Sequence, residues 1–411
     1  MVPNTTVPGK QASTTHQFAW LICSHLGIVR GRARAYEPLS IFPQCQSYLS
    51  TSFTSSLFLI SPHSLAHSGM NIESFILPSP PSPSGQPLRV AAKRYRYTGK
   101  ITRDGITLVM LHGSGMHKEQ WEPILEKLFA LQSEKSTFYR IREAWSFDWQ
   151  NHGESAVLNE EALKDDPKSA PLDLWGRSIA QFLTSELVSG HRFVGIGYSL
   201  GAVGILLSTR GFDKCPYEGI ILVEPCMADE DIWAANHDEI HAAFDTVRKA
   251  VKHRRDIWAS KKEAHRYFLS RFPWNAWNPR IVALYVEHAL KDSTDKNGKA
   301  CVGRKCPAIH EASTIQANLE LGGLQAAAER ISILSDRVPI HVVFGETVDI
   351  VPGVCRDCVV DRTKRRNVAS ITTIPDIGHS IIPEQPYVVA TTISQILDRI
   401  CSAEAPARSL L

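Results

Sequence analysis

The residues best suited to covalent chemistry stand at the end of an apolar run. Residues 193–196 predict a buried strand, which leads into Gly197-Tyr198-Ser199-Leu200-Gly201, a G-x-S-x-G pattern, and residues 202–208 can enter a helix. A serine on a sharp strand-to-helix turn has a strained backbone, so only small residues fit two positions before and two after it. The pattern predicts a nucleophilic hydroxyl at Ser199, against the plainer alternative of a glycine-rich turn with an idle serine.

A serine nucleophile needs a base and an acid that orients the base. His379 follows a predicted strand over 369–374, and so lies where ligands meet parallel sheets. Two carboxylates also follow strand ends: Glu224 comes directly after 219–223, and Asp349 comes after 339–344. Either acid can orient the imidazole. The plainer alternatives are a surface histidine, an anchoring Glu224 and a turn residue at Asp349.

A second glycine-rich turn, Leu111-His112-Gly113-Ser114-Gly115, follows the first buried apolar run. The backbone amide of Ser114 or Gly115 is predicted to join the amide of Leu200 in an oxyanion hole. Ser114 is not expected to be a second nucleophile, because no strand–turn–helix pattern frames it. His112 is expected to brace the loop.

Apolar runs and amphipathic helices alternate from residue 88 onward, which predicts a mostly parallel sheet flanked by helices. The alternation stops over 226–337, a polar and largely helical stretch that we expect to be a lid over the site. The predicted organisation is a core of 89–225 and 338–405, with the lid inserted before the last core strands.

Residues 1–88 are rich in Ser, Thr and Pro, poor in acidic residues, and end in the linker-like stretch 78–87. This composition predicts a disordered extension, or an organelle transit peptide. A true start at Met70 is a further alternative.

Composition narrows the function classes. The 411 residues carry a formal net charge of +3, too small to favour a nucleic-acid partner. No apolar run is long enough for a transmembrane segment. The nine cysteines are scattered and odd in number, which favours free thiols in a reducing compartment. A zinc site formed by Cys301, Cys306, Cys355 and Cys358 is the weaker alternative, so we expect no metal and no cofactor.

Together these motifs resemble the α/β-hydrolase fold over about residues 90–400. The resemblance rests on HGSG at 112–115, DWQNHGES at 148–155, GYSLG at 197–201 and Gly378-His379. LHGSGMHKEQW, DWQNHGESA and ILVEP resemble a fungal group that includes a peroxisomal lipase and toxin-biosynthesis hydrolases. The order serine, acid, histidine agrees with that fold.

The resemblance implies a serine hydrolase that acts on a small-molecule or lipid ester or thioester with an apolar acyl part. Epoxide hydrolases and haloalkane dehalogenases of this fold carry aspartate at the elbow, so Ser199 favours acyl chemistry. The alternative is a non-hydrolytic member of the fold that binds a ligand, transfers an acyl group or catalyses a dehydration.

The sequence departs from the family pattern at two places. The acid position of many members is Val348 here, one residue before Asp349, which favours Glu224. The terminal residues 409–411, Ser-Leu-Leu, lack the basic residue of a peroxisomal signal, so the cytoplasm, peroxisome and mitochondrion remain alternatives.

Overall fold

A computed structural model of the chain describes residues 69–99, 103–133, 140–166, 168, 170–320 and 322–403. Eleven strands are present in this part of the chain. They are β1 (Met70–Pro78), β2 (Arg89–Tyr97), β3 (Ile106–Leu111), β4 (Ile141–Phe147), β5 (Arg192–Tyr198), β6 (Tyr217–Val223), β7 (Ile257–Trp258), β8 (Leu290–Thr294), β9 (Ala300–Arg304), β10 (Ile340–Gly345) and β11 (Ser370–Ile374).

Helices connect most of these strands. They are α1 (Glu122–Gln132), α2 (Gly153–Leu158), α3 (Glu160–Leu163), α4 (Leu172–Leu183), α5 (Leu200–Leu207), α6 (Glu230–Ala235), α7 (His237–Lys252), α8 (Lys261–Leu269), α9 (Pro279–His288), α10 (Ala308–Glu320), α11 (Gly323–Leu334), α12 (Gly353–Val359), α13 (Ile381–Glu384) and α14 (Pro386–Ala403). No helix in the described ranges is both long enough and apolar enough to cross a membrane.

The main sheet has eight strands in the order β1-β2-β4-β3-β5-β6-β10-β11. The first two pairings, β1 with β2 and β2 with β4, are antiparallel, and the remaining ones are parallel. The parallel strands therefore end at one edge of the sheet, where β3, β4, β5, β6, β10 and β11 all release loops. This edge is where an α/β sheet places its ligands.

Apolar side chains fill both faces of the sheet. On β3, Leu108 and Met110 face one cluster with residues of α1 and α14, whereas Val109 and Leu111 face a second cluster with α4, α5 and α11. All four side chains are fully buried. A strand buried on both faces needs a continuous apolar run, which is why β3, β5 and β6 stand out in the sequence.

The segment between β6 and β10 departs from the predicted helical lid in two ways. It contains the small antiparallel sheet β7-β9-β8 as well as helices. Its last helix, α11, buries Leu324, Ala328 and Ile331 in the core cluster around α5, so α11 belongs to the core and the predicted boundary at 337 is too late. We call residues 226–320 the insertion.

The predicted boundary of the N-terminal extension at residue 88 is wrong. Residues 70–78 form β1, which pairs along its whole length with β2. The composition misled because β1 is an edge strand with alternate exposed positions, so it does not need a continuous apolar run. The predicted linker starts at the end of this strand. Residues 1–68 and 404–411, and with them the transit-peptide and terminal-signal predictions, lie outside the described residues.

Candidate active site

Ser199 stands on the turn between β5 and α5, as the glycine pattern predicts. Its φ is 53° and its ψ is −121°, a conformation that costs a non-glycine residue about 1–3 kcal/mol. A Cβ on Gly197 would collide with the backbone of Ala202, and one on Gly201 would collide with the carbonyl of Leu111. The two glycines thus allow the turn to close against α5 and the end of β3.

The imidazole of His379 lies against the Ser199 hydroxyl. His379 Nε2 is 2.9 Å from Ser199 Oγ, across 180 residues of chain. The hydroxyl of Tyr198 donates a 2.8 Å hydrogen bond to the carbonyl of His379, so the residue before the serine also holds the histidine loop. This arrangement can pass a proton from the hydroxyl to the imidazole.

Glu224 is the carboxylate that reaches the imidazole. Its Oε2 is 3.0 Å from His379 Nδ1, and its Oε1 accepts from the Gly345 amide at 2.6 Å and from Arg356 Nη2 at 2.5 Å. Glu224 has a φ of 47°, so the chain turns sharply as it leaves β6. The sequence analysis did not predict the contact of Arg356 with Glu224. A basic residue in the helix that follows the β10 loop was the available signal.

The surroundings of Glu224 keep it ionised. Burial raises the pKa of its carboxyl, but the hydrogen bond and charge of His379, the charge of Arg356 and the Gly345 amide outweigh burial and lower the pKa overall. A carboxylate that is charged in this position can hold the imidazole with its proton on Nδ1, leaving Nε2 to accept from Ser199.

Asp349 lies close by but contacts the backbone instead of the imidazole. Its Oδ1 accepts from the amide of His379 at 2.9 Å and from the amide of Ile350 at 2.6 Å. A Cβ on Gly378 would collide with this carboxylate. The predicted alternative in which Asp349 orients the imidazole is therefore wrong for this structure, since its contacts fix the loop that carries His379.

The loop over 112–115 passes directly above Ser199. A Cβ on Gly113 would come within 3.3 Å of the Ser199 Cβ, and within 2.9 Å of the Tyr198 ring. Ser114 lines the same cavity as Ser199, and its buried hydroxyl has no hydrogen-bond partner in the part of the chain that the structure describes. The amide of Leu200 lies in the first turn of α5, where helix amides have no intrahelical acceptor.

An apolar cavity of about 450 Å³ opens onto these groups. Ser199 and His379 are each only 8% exposed, so a substrate must enter the cavity to reach them. The insertion supplies much of the wall, chiefly with aromatic and aliphatic side chains: Phe244, Val247, Phe272, Trp274, Trp277 and Ile315. Trp274 and Trp277 also pack against other aromatic rings of the insertion, so they serve both as packing residues and as cavity wall.

No cluster of three or more His, Cys, Asp or Glu side chains arranged for a metal ion occurs among the described residues. Within the described ranges, the four cysteines of the alternative zinc site form no disulfide, and each is buried.

A family model described as the alpha/beta hydrolase family matches residues 108–392. The chain belongs to the alpha/beta hydrolase family. The match includes the loop over 112–115, Ser199, Glu224 and His379. The mostly parallel sheet flanked by helices, predicted from the motifs, is confirmed.

Two curated relatives share sequence with this hydrolase. The type I acyl-CoA thioesterase mpaH of Penicillium roqueforti is 25% identical over 210 residues, covering 50% of this chain and 45% of that protein. The peroxisomal membrane protein LPX1 of Saccharomyces cerevisiae is 42% identical over 142 residues, covering 33% of this chain and 34% of that protein. The alignments thus span less than half the length of either relative.

A solved structure agrees with the fold. The peroxisomal alpha-beta-hydrolase Lpx1 of Saccharomyces cerevisiae superposes with a TM-score of 0.64 at 17% identity, covering 82% of this chain and 90% of that one.

Proposed function

We propose that the protein is a serine hydrolase of esters or thioesters whose acyl part is apolar. The observation that carries this proposal is the hydrogen-bonded series from Ser199 through His379 to Glu224 at the wall of an apolar cavity. Membership of the hydrolase family and a thioesterase among the relatives support it.

In the first half of the reaction, Ser199 Oγ attacks the carbonyl carbon of the bound substrate. His379 Nε2 takes the hydroxyl proton as the new C–O bond forms, and Glu224 stabilises the resulting imidazolium through Nδ1. The carbonyl oxygen becomes an oxyanion, which the amides of Leu200 and Ser114 stabilise. Collapse of this intermediate breaks the bond to the alcohol or thiol, which leaves with the proton from His379.

In the second half, water attacks the acyl group on Ser199. His379 takes a proton from the water and returns it to Ser199 Oγ as the acyl–enzyme bond breaks. The products are a carboxylic acid and free enzyme. The ionised state of Glu224 supports both halves, because a carboxylate next to Nδ1 favours each transient imidazolium.

The cavity supports an apolar acyl part. Its wall is built largely from aromatic and aliphatic side chains, and burying such a chain is favoured by roughly 0.8 kcal/mol for each methylene. We therefore expect medium and long acyl chains to be preferred to acetyl. The leaving group is either an alcohol or a thiol, and the thioesterase relative supports a thiol.

The test is hydrolysis of p-nitrophenyl esters and acyl thioesters of increasing chain length by the wild type and by Ser199→Ala. Loss of the nucleophile should lower kcat by about 10⁶-fold, with the fold retained in circular dichroism. Ser208→Ala is the matched control, because Ser208 is a buried serine that bonds to Tyr217 away from the cavity. Equal rates in wild type and Ser199→Ala would contradict the proposal.

The same experiment separates the alternatives. A protein that binds long-chain acids but turns over no ester is a binding module. A protein that forms an acyl–enzyme but passes the acyl group to an added alcohol or amine faster than to water is an acyltransferase.

We also propose that the protein lies in the peroxisome, on the support of the yeast relative LPX1, whose name includes that organelle. Imaging of the full chain, tagged at an internal loop so that both ends stay free, tests this. Cytoplasmic or mitochondrial signal would overturn it.

A further inference from the structure

A histidine outside the proposed catalytic residues contacts the loop over 112–115. His152 Nε2 accepts a 3.0 Å hydrogen bond from the amide of Gly115. Its other ring nitrogen, Nδ1, lies 2.6 Å from Asn151 Oδ1. Since Nε2 accepts, the ring proton must sit on Nδ1 and be donated to Asn151. The amide of Gly115 is thereby occupied, which leaves Ser114 as the loop amide that can meet an oxyanion.

The His152 ring is held in one orientation and in its neutral form. It is fully buried and stacks on Trp149 at 5.2 Å with an interplanar angle of 6°. Trp149 in turn stacks on Trp175. Burial lowers the pKa of His152 well below its usual value, and the neighbouring charges of His112 and Arg304 lower it further. A protonated ring would place an N–H against the N–H of Gly115, so only the neutral ring supports the contact.

The same contact extends into the insertion. Asn151 Nδ2 donates to Thr314 Oγ1 at 2.5 Å, and Thr314 Oγ1 donates to the carbonyl of His310 one turn earlier in α10. On the same helix, Glu311 packs so closely to Gly115 that a Cβ there would collide with its carboxylate. Helix α10 therefore contacts the loop directly, and also through Asn151 and His152.

We propose that His152 is a positioning residue that fixes the Gly115 amide and so aims the Ser114 amide at the oxyanion, with α10 completing the support through Thr314 and Asn151. The inference rests on the proposed function. It follows from three facts: the loop touches Ser199, the Gly115 amide is bound by an oriented ring, and the chain of hydrogen bonds ends on the helix that walls the cavity.

Two amide substitutions separate the two ring nitrogens. In His152→Gln, the side-chain oxygen can stand near the position of Nε2 and accept from Gly115. In His152→Asn, the shorter side chain can keep a hydrogen bond near Nδ1 but cannot reach Gly115. Both variants lose the stacked ring, so they are matched for lost packing and differ in the contact that matters.

The experiment measures kcat and KM on the best ester, together with amide hydrogen exchange of the peptide containing 112–116. His152→Asn should lower kcat by about 100-fold, the size expected when one oxyanion donor is misplaced, with KM within about twofold. Its loop peptide should exchange faster. His152→Gln should recover to within about tenfold of wild type and keep slow exchange. His341→Asn, a buried histidine bonded to Ser370, should leave both quantities unchanged.

Equal losses in His152→Asn and His152→Gln that follow their melting temperatures would overturn the proposal, since they would show a packing role only. Unchanged activity in both would also overturn it. If the wild type hydrolyses no ester, the proposed function fails, but the exchange of the loop peptide still reports whether His152 positions it.

The supporting role of helix α10 is tested by Thr314→Val. This substitution keeps the shape of the side chain and removes the hydroxyl that accepts the hydrogen bond from Asn151 Nδ2. We expect kcat to fall about fivefold, the size of one lost hydrogen bond, with faster exchange of the loop peptide. Ser313→Ala is the control on the same helix, because Ser313 bonds only to the carbonyl of Ile309 among the described residues. An effect of the control equal to that of Thr314→Val would overturn the part assigned to α10.

Discussion

Two acidic residues approach the His379 loop from neighbouring strands, and they differ in what surrounds them. Glu224 follows β6, contacts the imidazole, and is paired with Arg356. Asp349 follows β10, binds two backbone amides, and forms no ion pair within the described residues. Burial and the charge of Asp349 raise the pKa of another carboxyl, that of Glu384, to about 7.

Proximity to the histidine loop therefore does not decide which acidic residue supports the chemistry. Burial opposes the charge of Glu224, but the hydrogen bond and charge of His379, the charge of Arg356 and the Gly345 amide together lower its pKa. Asp349 instead accepts hydrogen bonds from the backbone of the histidine loop, and an uncharged oxygen could accept the same hydrogen bonds. The first residue is thus expected to act on the reaction, and the second on the position of the loop.

The largest expected effect comes from Glu224→Gln. The amide cannot stabilise an imidazolium and can favour the wrong ring tautomer, so kcat should fall by about 10⁴-fold on ester substrates. Steady-state kinetics with active-site titration check this value. A fall of less than about tenfold would mean that Glu224 is not the orienting acid.

A much smaller effect is expected from Asp349→Asn, which keeps an oxygen for the amides of His379 and Ile350. The value of kcat should stay within about fivefold of wild type. Asp349→Ala leaves both amides without their acceptor, and should lower the free energy of unfolding by about 1–3 kcal/mol, measured by urea denaturation. Loss of activity in Asp349→Asn as large as in Glu224→Gln would erase the contrast.

The smallest effect is expected from Glu384→Gln, read in the pH dependence of the melting temperature. The folded pKa of Glu384 is about 7 and its ordinary value is 4.5, so its contribution to stability is complete below pH 4.5 and is lost as the pH rises through about 7. The wild type should lose stability over this window relative to Glu384→Gln. Parallel curves for the two proteins would contradict the raised pKa.

The sequence predicted Ser199 and the loop over 112–115 from glycine-rich turns that follow apolar runs, and His379 from its place after a predicted strand. It could not choose between Glu224 and Asp349, because both follow strands that end at the same edge of the sheet. The choice depends on the left-handed backbone at Glu224 and on the place of Arg356 in α12, which arise only in the folded chain.

In the fold, too, some elements could be predicted from local sequence and others could not. Strands buried on both faces were predicted from their apolar runs, with boundaries that differ by a few residues. The edge strand β1 was missed because its exposed alternate residues resemble a polar tail. Strand β7 pairs with β9 across a long stretch of chain, whereas β8 and β9 form a local hairpin. Helix α11 was placed in the lid because no local pattern shows which surface a helix packs against. The role inferred for His152 depends on β4 ending beside β3.

The most direct test of the account is the rate at which an alkyl fluorophosphonate labels the protein, with the modified residue mapped by peptide mass spectrometry. We predict one adduct, on Ser199, that forms within about fivefold of the wild-type rate in Asp349→Asn and at least about 10³-fold more slowly in Glu224→Gln. A wild-type protein that stays unlabelled, or an adduct on another residue, would contradict the account.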